Sequence, residues 1–174
     1  MPRKNKGFSL IELLIVVAII LVIAAIAIPS LLSARMAANE SAAVGSLQTI
    51  KAAEYAYYTA YSTVGYAANM SALGGTGSPC VASSSSACLL DSAVVSAIPG
   101  GTAKSGFVFL ATGIASGGPI NSAFVTAASP AAAHQTGNRD FCSTDDGVLR
   151  STMASGGDIP VSDLTSCLAF PVTQ

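Results

Sequence analysis

From Leu13 to Ala34 the chain carries no charged residue, and this run constrains it more than any other feature. As a helix it is roughly 33 Å long, close to the ~30 Å hydrocarbon thickness of a bilayer. One acid, Glu12, sits at its leading edge, just after the Gly7-Phe8 junction. A carboxylate near the middle of lipid costs about 2.5–3.5 kcal/mol on insertion scales, so a chain that keeps one there has a partner for it. Arg3, Lys4 and Lys6 flank the run on its N-terminal side, which predicts Met1–Gly7 in the cytoplasm and the rest across the membrane. A cleaved secretory signal has a shorter apolar core, with its small-residue site after that core. Here the small residue, Gly7, comes before the run, and Ile28-Pro29-Ser30-Leu31-Leu32 leads into more helix.

The stretch Lys6-Gly7-Phe8-Ser9-Leu10-Ile11-Glu12-Leu13-Leu14 resembles the prepilin signature of type IV pilins and type II secretion pseudopilins. The resemblance implies cleavage between Gly7 and Phe8 by a membrane prepilin peptidase and N-methylation of Phe8. It makes Glu12 the acid at the fifth mature position, and Pro29 falls where many family members carry a helix-kinking proline. The implied organisation is a leader over 1–7, a transmembrane and assembly helix over 8–34, and an extracytoplasmic head over 35–174. The head includes the amphipathic half of the spine helix. The implied fold class is α+β, the pilin fold: a long N-terminal helix packed on an antiparallel sheet of three or four strands.

Elementary electrostatics agrees with that reading. Cleavage after Gly7 removes Arg3, Lys4 and Lys6 and leaves one amine on Phe8. An α-amino group has a reference pKa of about 7.7–8.0 and is mostly protonated at neutral pH. Such a cation can pair with Glu12 of a neighbouring subunit in a filament core, where a desolvated pair acts mainly through specificity and register. Pro29 removes a backbone donor, so it either kinks and loosens the helix or marks the end of the span, with Ser30 capping a new helix.

Downstream, Ser30–Tyr61 reads as continued helix, with Ala43, Leu47, Ile50, Tyr57 and Tyr61 recurring on one face. Lys51 and Glu54 are placed to pair across one turn. Tyr55, Tyr57, Tyr58, Tyr61 and Tyr66 cluster at the helix end, where packing against the head or a neighbouring subunit buries ring area and keeps the hydroxyls wet. Met70–Gly101 reads as a linker, with turn chemistry at Gly74–Pro79 and Ser83–Ser86 and a short helix at Leu89–Ile98. Strand signals cover Ser105–Thr112, Asn121–Ala127, Arg139–Ser143 and Val148–Thr152, and Asp146-Gly147 marks a hairpin between the last two. Thr136-Gly137-x-Arg139-x-Phe141 and Asp146–Arg150 also resemble pilin-type heads.

Cys80, Cys88, Cys142 and Cys167 in an exported chain make two disulfides. Three connectivities are open. Sequential pairing, Cys80–Cys88 and Cys142–Cys167, is the one adopted, since it closes two local loops; the second resembles the loop many pilins staple near the C-terminus. A metal site lacks the C-x-x-C spacing. Asp145, Asp146, Asp158 and Asp163 offer oxygen ligands of the kind calcium takes, and some pseudopilins hold calcium in this region, but turn chemistry accounts for them. No cofactor is expected. The one histidine, His134, lies in a loop-like stretch, and no catalytic or phosphate-binding motif is present, so an enzyme is not expected. Charged residues are 10% of the chain and the net charge is −1, with no basic patch for nucleic acid. Asn39-Glu40-Ser41 and Asn69-Met70-Ser71 are formal glycosylation sequons.

The expected function is that of a type IV pilus subunit, a homo-oligomeric filament protein for adhesion, motility or DNA uptake. It is held first in the inner membrane, handled there by the peptidase and an assembly platform, and carried finally to the cell surface. A type II secretion pseudopilin, or a minor tip pilin, is the alternative.

Overall fold

The computed structural model describes residues 8–75, 79–157 and 159–173. Its elements run α1 (Leu10–Ala60), α2 (Met70–Leu73), α3 (Ser92–Val95), β1 (Phe107–Ala115), β2 (Asn121–Pro130), β3 (Arg139–Thr144), β4 (Leu149–Met153) and α4 (Leu164–Leu168). The chain divides into two compact units, one ending at Arg35 and the other beginning at Met36.

In the first unit α1 is apolar on every side, and its side chains are exposed, Leu10 at 80% and Ile26 at 73%. Alanine, leucine and isoleucine in unbroken succession favour a helix that must be solvated by something other than water. Of the two readings of Pro29, the one that ends the helix there does not hold. Pro29 lies inside α1, and Ser33 Oγ donates to its carbonyl at 3.1 Å.

In the second unit, the later part of α1 lies on a four-stranded sheet of order β1-β2-β3-β4, antiparallel throughout. Side chains alternate across the strands. Phe107, Phe109, Ala111 and Phe141 face Ala43, Leu47, Ile50 and Tyr57 of the helix. The opposite sheet face buries Val125, Ala127 and Cys142 beneath Val161, Leu164 and Phe170 of the C-terminal segment. The Asp146-Gly147 turn joins β3 to β4, with Gly147 at φ +74°.

Three expectations are corrected. Met70–Gly101 is no linker, because Met70, Leu73, Leu90, Val94 and Ala97 are buried in the main core. Backbone bonds such as Ala87 N to Ala72 O (2.8 Å) and Phe109 N to Ala97 O (2.6 Å) tie the segment to its neighbours. Within it the helix expected over Leu89–Ile98 contracts to Ser92–Val95, started by Asp91, whose side chain accepts from Val94 N. Lys51 and Glu54 do not pair: Lys51 Nζ donates to Gly147 O at 3.0 Å, and Glu54 is fully buried. Position in the helix placed them one turn apart, but tertiary partners claim both.

Candidate functional site

α1 begins where the sequence places the processing site. Ser9 stands just before the first helical residue, and its backbone N–H donates to Glu12 Oε2 at 2.9 Å. Ser9-Leu10-Ile11-Glu12 is thus one arm of a capping box, in which an acid three residues into the helix reaches back to the cap. The Ser-x-x-Glu spacing carries this signal in the sequence itself. Phe8 is 75% exposed. Gly7, like the rest of Met1–Gly7, lies outside the described residues. One helix of the described chain, α1, is long and apolar enough to cross a membrane.

From Met36 onward the side of α1 turned away from the sheet is lined by small, uncharged side chains. Ala38, Ala42, Gly45, Thr49, Ala52 and Ala56 are all exposed and recur every three or four residues. A Cβ added at Gly45 would meet nothing within 4 Å.

The opposite side is fastened to the head by polar clasps. Asn39 Nδ2 donates to Thr136 O at 2.9 Å. Glu40 accepts from Asn138 N at 2.8 Å and from Arg139 Nε at 2.8 Å, with Arg139 Nη2 at 2.7 Å. The Arg139 guanidinium also lies over the Phe141 ring, 5.2 Å from its centroid. Glu40 therefore grips the start of β3 from nearly a hundred residues away, inside what the sequence offered only as a sequon. Glu40→Ala removes three acceptor contacts and leaves Asn138 N–H without its acceptor. Hydrogen bonds to a charged group contribute about 1.5–3 kcal/mol, reduced here because Arg139 is half exposed. The expected result is a melting temperature several degrees lower, with Glu40→Gln falling between; an unchanged melt would refute the clasp.

The tyrosines pack in two groups, but not all of them are buried against the head: Tyr55 and Tyr58 stay exposed, at 39% and 43%. Tyr57 is buried, and its hydroxyl donates to Ser84 O at 2.5 Å; its ring lies 4.8 Å from that of Tyr61. Tyr55, Tyr58 and Tyr66 gather with Phe124, and the Tyr66 and Phe124 centroids are 4.7 Å apart.

The disulfides join Cys80 to Cys88 and Cys142 to Cys167. Two of the four candidate calcium ligands, Asp146 and Asp163, are occupied locally. Asp146 accepts from Arg150, Thr144 and Val148, and hydrogen bonding from Arg150 leads in holding its carboxyl down to about 2. Asp163 caps α4 through Ser166 N at 2.8 Å. Asp145 offers its backbone carbonyl to the Tyr55 hydroxyl at 3.0 Å, and Asp158 lies outside the described residues. Among the described residues no group of three or more His, Cys, Asp or Glu side chains comes together. His134 sits at φ +61° and its ring nitrogen is 3.2 Å from Asn138 Oδ1, a turn contact.

Residues 2–28 match the family described as the prokaryotic N-terminal methylation motif. The chain is 62% identical over 39 residues to the type IV wide pilus major component PilA4 of Thermus thermophilus, covering 22% of this chain and 30% of that protein. It is 41% identical over 56 residues to the type IV major pilin protein PilA of Myxococcus xanthus, covering 32% of this chain and 26% of that one. The matched part thus spans less than a third of either relative. No solved structure matches the chain. Its N-terminal segment carries the prokaryotic N-terminal methylation motif, on a helix long enough to cross a membrane, and in that segment the chain is similar to type IV pilins.

Proposed function

We propose that this chain is the structural subunit of a type IV pilus, made as a membrane-anchored precursor and polymerised into a helical filament. The observation that carries the reading is the methylation motif over residues 2–28, set at the start of one 51-residue helix that continues into a folded head. In this scheme a prepilin peptidase hydrolyses the Gly7–Phe8 peptide bond, and the freed Phe8 amine is methylated. The cations before Gly7 hold that end on the cytoplasmic side until cleavage. An inner-membrane assembly platform then extracts the subunit, and the apolar half of α1, exposed on every side, is buried among copies of itself. The small-residue face that follows suits such packing, since side chains of this size let helix backbones approach closely. The reading needs no cofactor, no calcium and no catalytic group: the work is done by shape and burial. Adhesion, motility and DNA uptake would then be properties of the filament.

Treating the purified precursor with prepilin peptidase tests the first step. The expected mass loss corresponds to Met1–Gly7, and the product isolated from cells carries one further methyl group on Phe8. Cleavage elsewhere, or none, would refute the scheme. Location tests the last step: the chain should dominate filaments sheared from the cell surface, whereas retention in the envelope would support the pseudopilin alternative.

A further inference from the structure

We infer that Glu54 is a pH-sensitive latch, which holds the strap over residues 61–69 against the β1–β2 hairpin when protonated and loosens it on ionisation. Glu54 is completely buried, yet neither ion pair of the described residues includes it. One oxygen accepts from Ala67 N at 2.8 Å; the other, Oε1, is buried with no partner among the described residues. A buried carboxylate with one hydrogen bond and no cation is costly in its charged form. Lys51, one turn earlier, is committed to Gly147 O. The titratable groups facing Glu54 are Tyr57 on its own helix and Tyr66 on the strap, and both phenols are raised by burial above their ordinary value, hence neutral at any moderate pH. Burial likewise pushes the Glu54 carboxyl up to about 7 from 4.5.

The strap that Glu54 holds is the bridge between helix and hairpin. Tyr66 N donates to Asn121 O at 3.0 Å, Asn121 N to Val64 O at 3.0 Å, and Gly113 N to Ala68 O at 3.4 Å. Gly65 sits at φ +89°, where a Cβ would strike Asn121 O, so the strap's seat is narrow. Opening the strap rehydrates the carboxyl group, and this gain is far larger for the ionised form than for the neutral one.

The sign follows from proton linkage. The closed state holds the proton more tightly than the open one, so opening is least favourable below pH 4.5 and grows with pH until about 7, then levels off. Within that window the opening constant rises about tenfold per pH unit. Hydrogen–deuterium exchange on the full-length chain in detergent, corrected for intrinsic rates, reads it directly at residues 61–69. Between pH 4.5 and 7 the opening constant should rise on the order of a hundredfold, while exchange in β4, which carries no acid of its own, stays flat. Glu54→Gln, which cannot ionise, should remove the dependence; Asp140→Asn, a half-buried acid on the sheet, should leave it in place. Should Glu54→Gln fail to fold, the carboxyl carbon resonance of Glu54 in the unaltered chain must titrate near neutrality. Equal exchange across the window, or a carboxyl titrating at its ordinary value, would overturn the latch.

Discussion

Replacing Glu12 with alanine is expected to leave membrane insertion intact and to abolish filament assembly. Insertion does not suffer, since the substitution removes a carboxylate from the leading edge of the span, where a charge costs less than the ~2.5–3.5 kcal/mol of the bilayer centre. Assembly loses, because each subunit's Phe8 ammonium would enter a low-dielectric core with nothing to balance it. Breaking a buried ion pair by deleting one partner costs about 3–5 kcal/mol, a fall of roughly two to three and a half orders of magnitude in the constant for adding each subunit.

The capping contact offers a competing explanation, which a second variant separates. Glu12 Oε2 accepts from Ser9 N in the single chain, so alanine also removes a cap. Loss of such a contact costs about 0.5–2 kcal/mol and frays only the first turn. Glutamine at position 12 can still accept that hydrogen bond but carries no charge. If the charge is what matters, Glu12→Gln fails to assemble as Glu12→Ala does; if the cap is what matters, glutamine restores filaments. Counting sheared filaments by electron microscopy, beside a membrane-fraction blot for insertion, gives the answer. Normal filaments from Glu12→Ala would remove the buried pair from the account.

The membrane-length helix and its processing signature were legible because their signals are local. An unbroken apolar run and a fixed spacing around Gly7, Phe8 and Glu12 need no partner to be recognised. The strands were legible for a similar reason: β-branched and aromatic runs are bounded by glycine turns. The first two extend further than their composition suggested, to Ala115 and Pro130, because cross-strand pairing carries the ladder through small residues. Glu40 and Glu54 were not legible. On a helix an acid usually belongs to the solvated face, and only distant chain makes these two internal. Glu54 is claimed by the amide of Ala67 across the helix end, and Glu40 by Asn138 and Arg139 from the far side of the head. The segment from Met70 to Gly101 misled for the opposite reason. Its glycine and serine content is that of a loop, but a few apolar residues spaced along it suffice to plug it into the core.

Severing the Cys142–Cys167 bridge should cost more than severing Cys80–Cys88, and by a route that composition does not show. Loop entropy alone predicts about 3.5 kcal/mol for a separation of 25 residues and about 2.6 kcal/mol for one of 8. The difference widens when the covered surface is considered. Val125 and Ala127 are fully buried beneath the segment this bridge holds down. That segment contains only the five-residue α4, too short to persist as a helix once detached. Its end also completes the sheet, with Ser151 N donating to Pro171 O at 2.9 Å and Thr173 N to Leu149 O at 3.0 Å. Release would strip the cover from β4 and leave an open strand edge, a template for association. Cys142→Ala/Cys167→Ala is therefore expected to melt roughly 7–14 °C below the unaltered chain, with proteolysis appearing first in residues 155–170. Cys80→Ala/Cys88→Ala should melt higher than that variant and stay resistant there, since its small loop covers no comparable face. A gap of only about 2–4 °C between the two variants, which the loop-entropy difference of about 0.9 kcal/mol gives by itself, would mean that chain entropy alone accounts for both bridges, and that the C-terminal segment holds to the sheet without its staple.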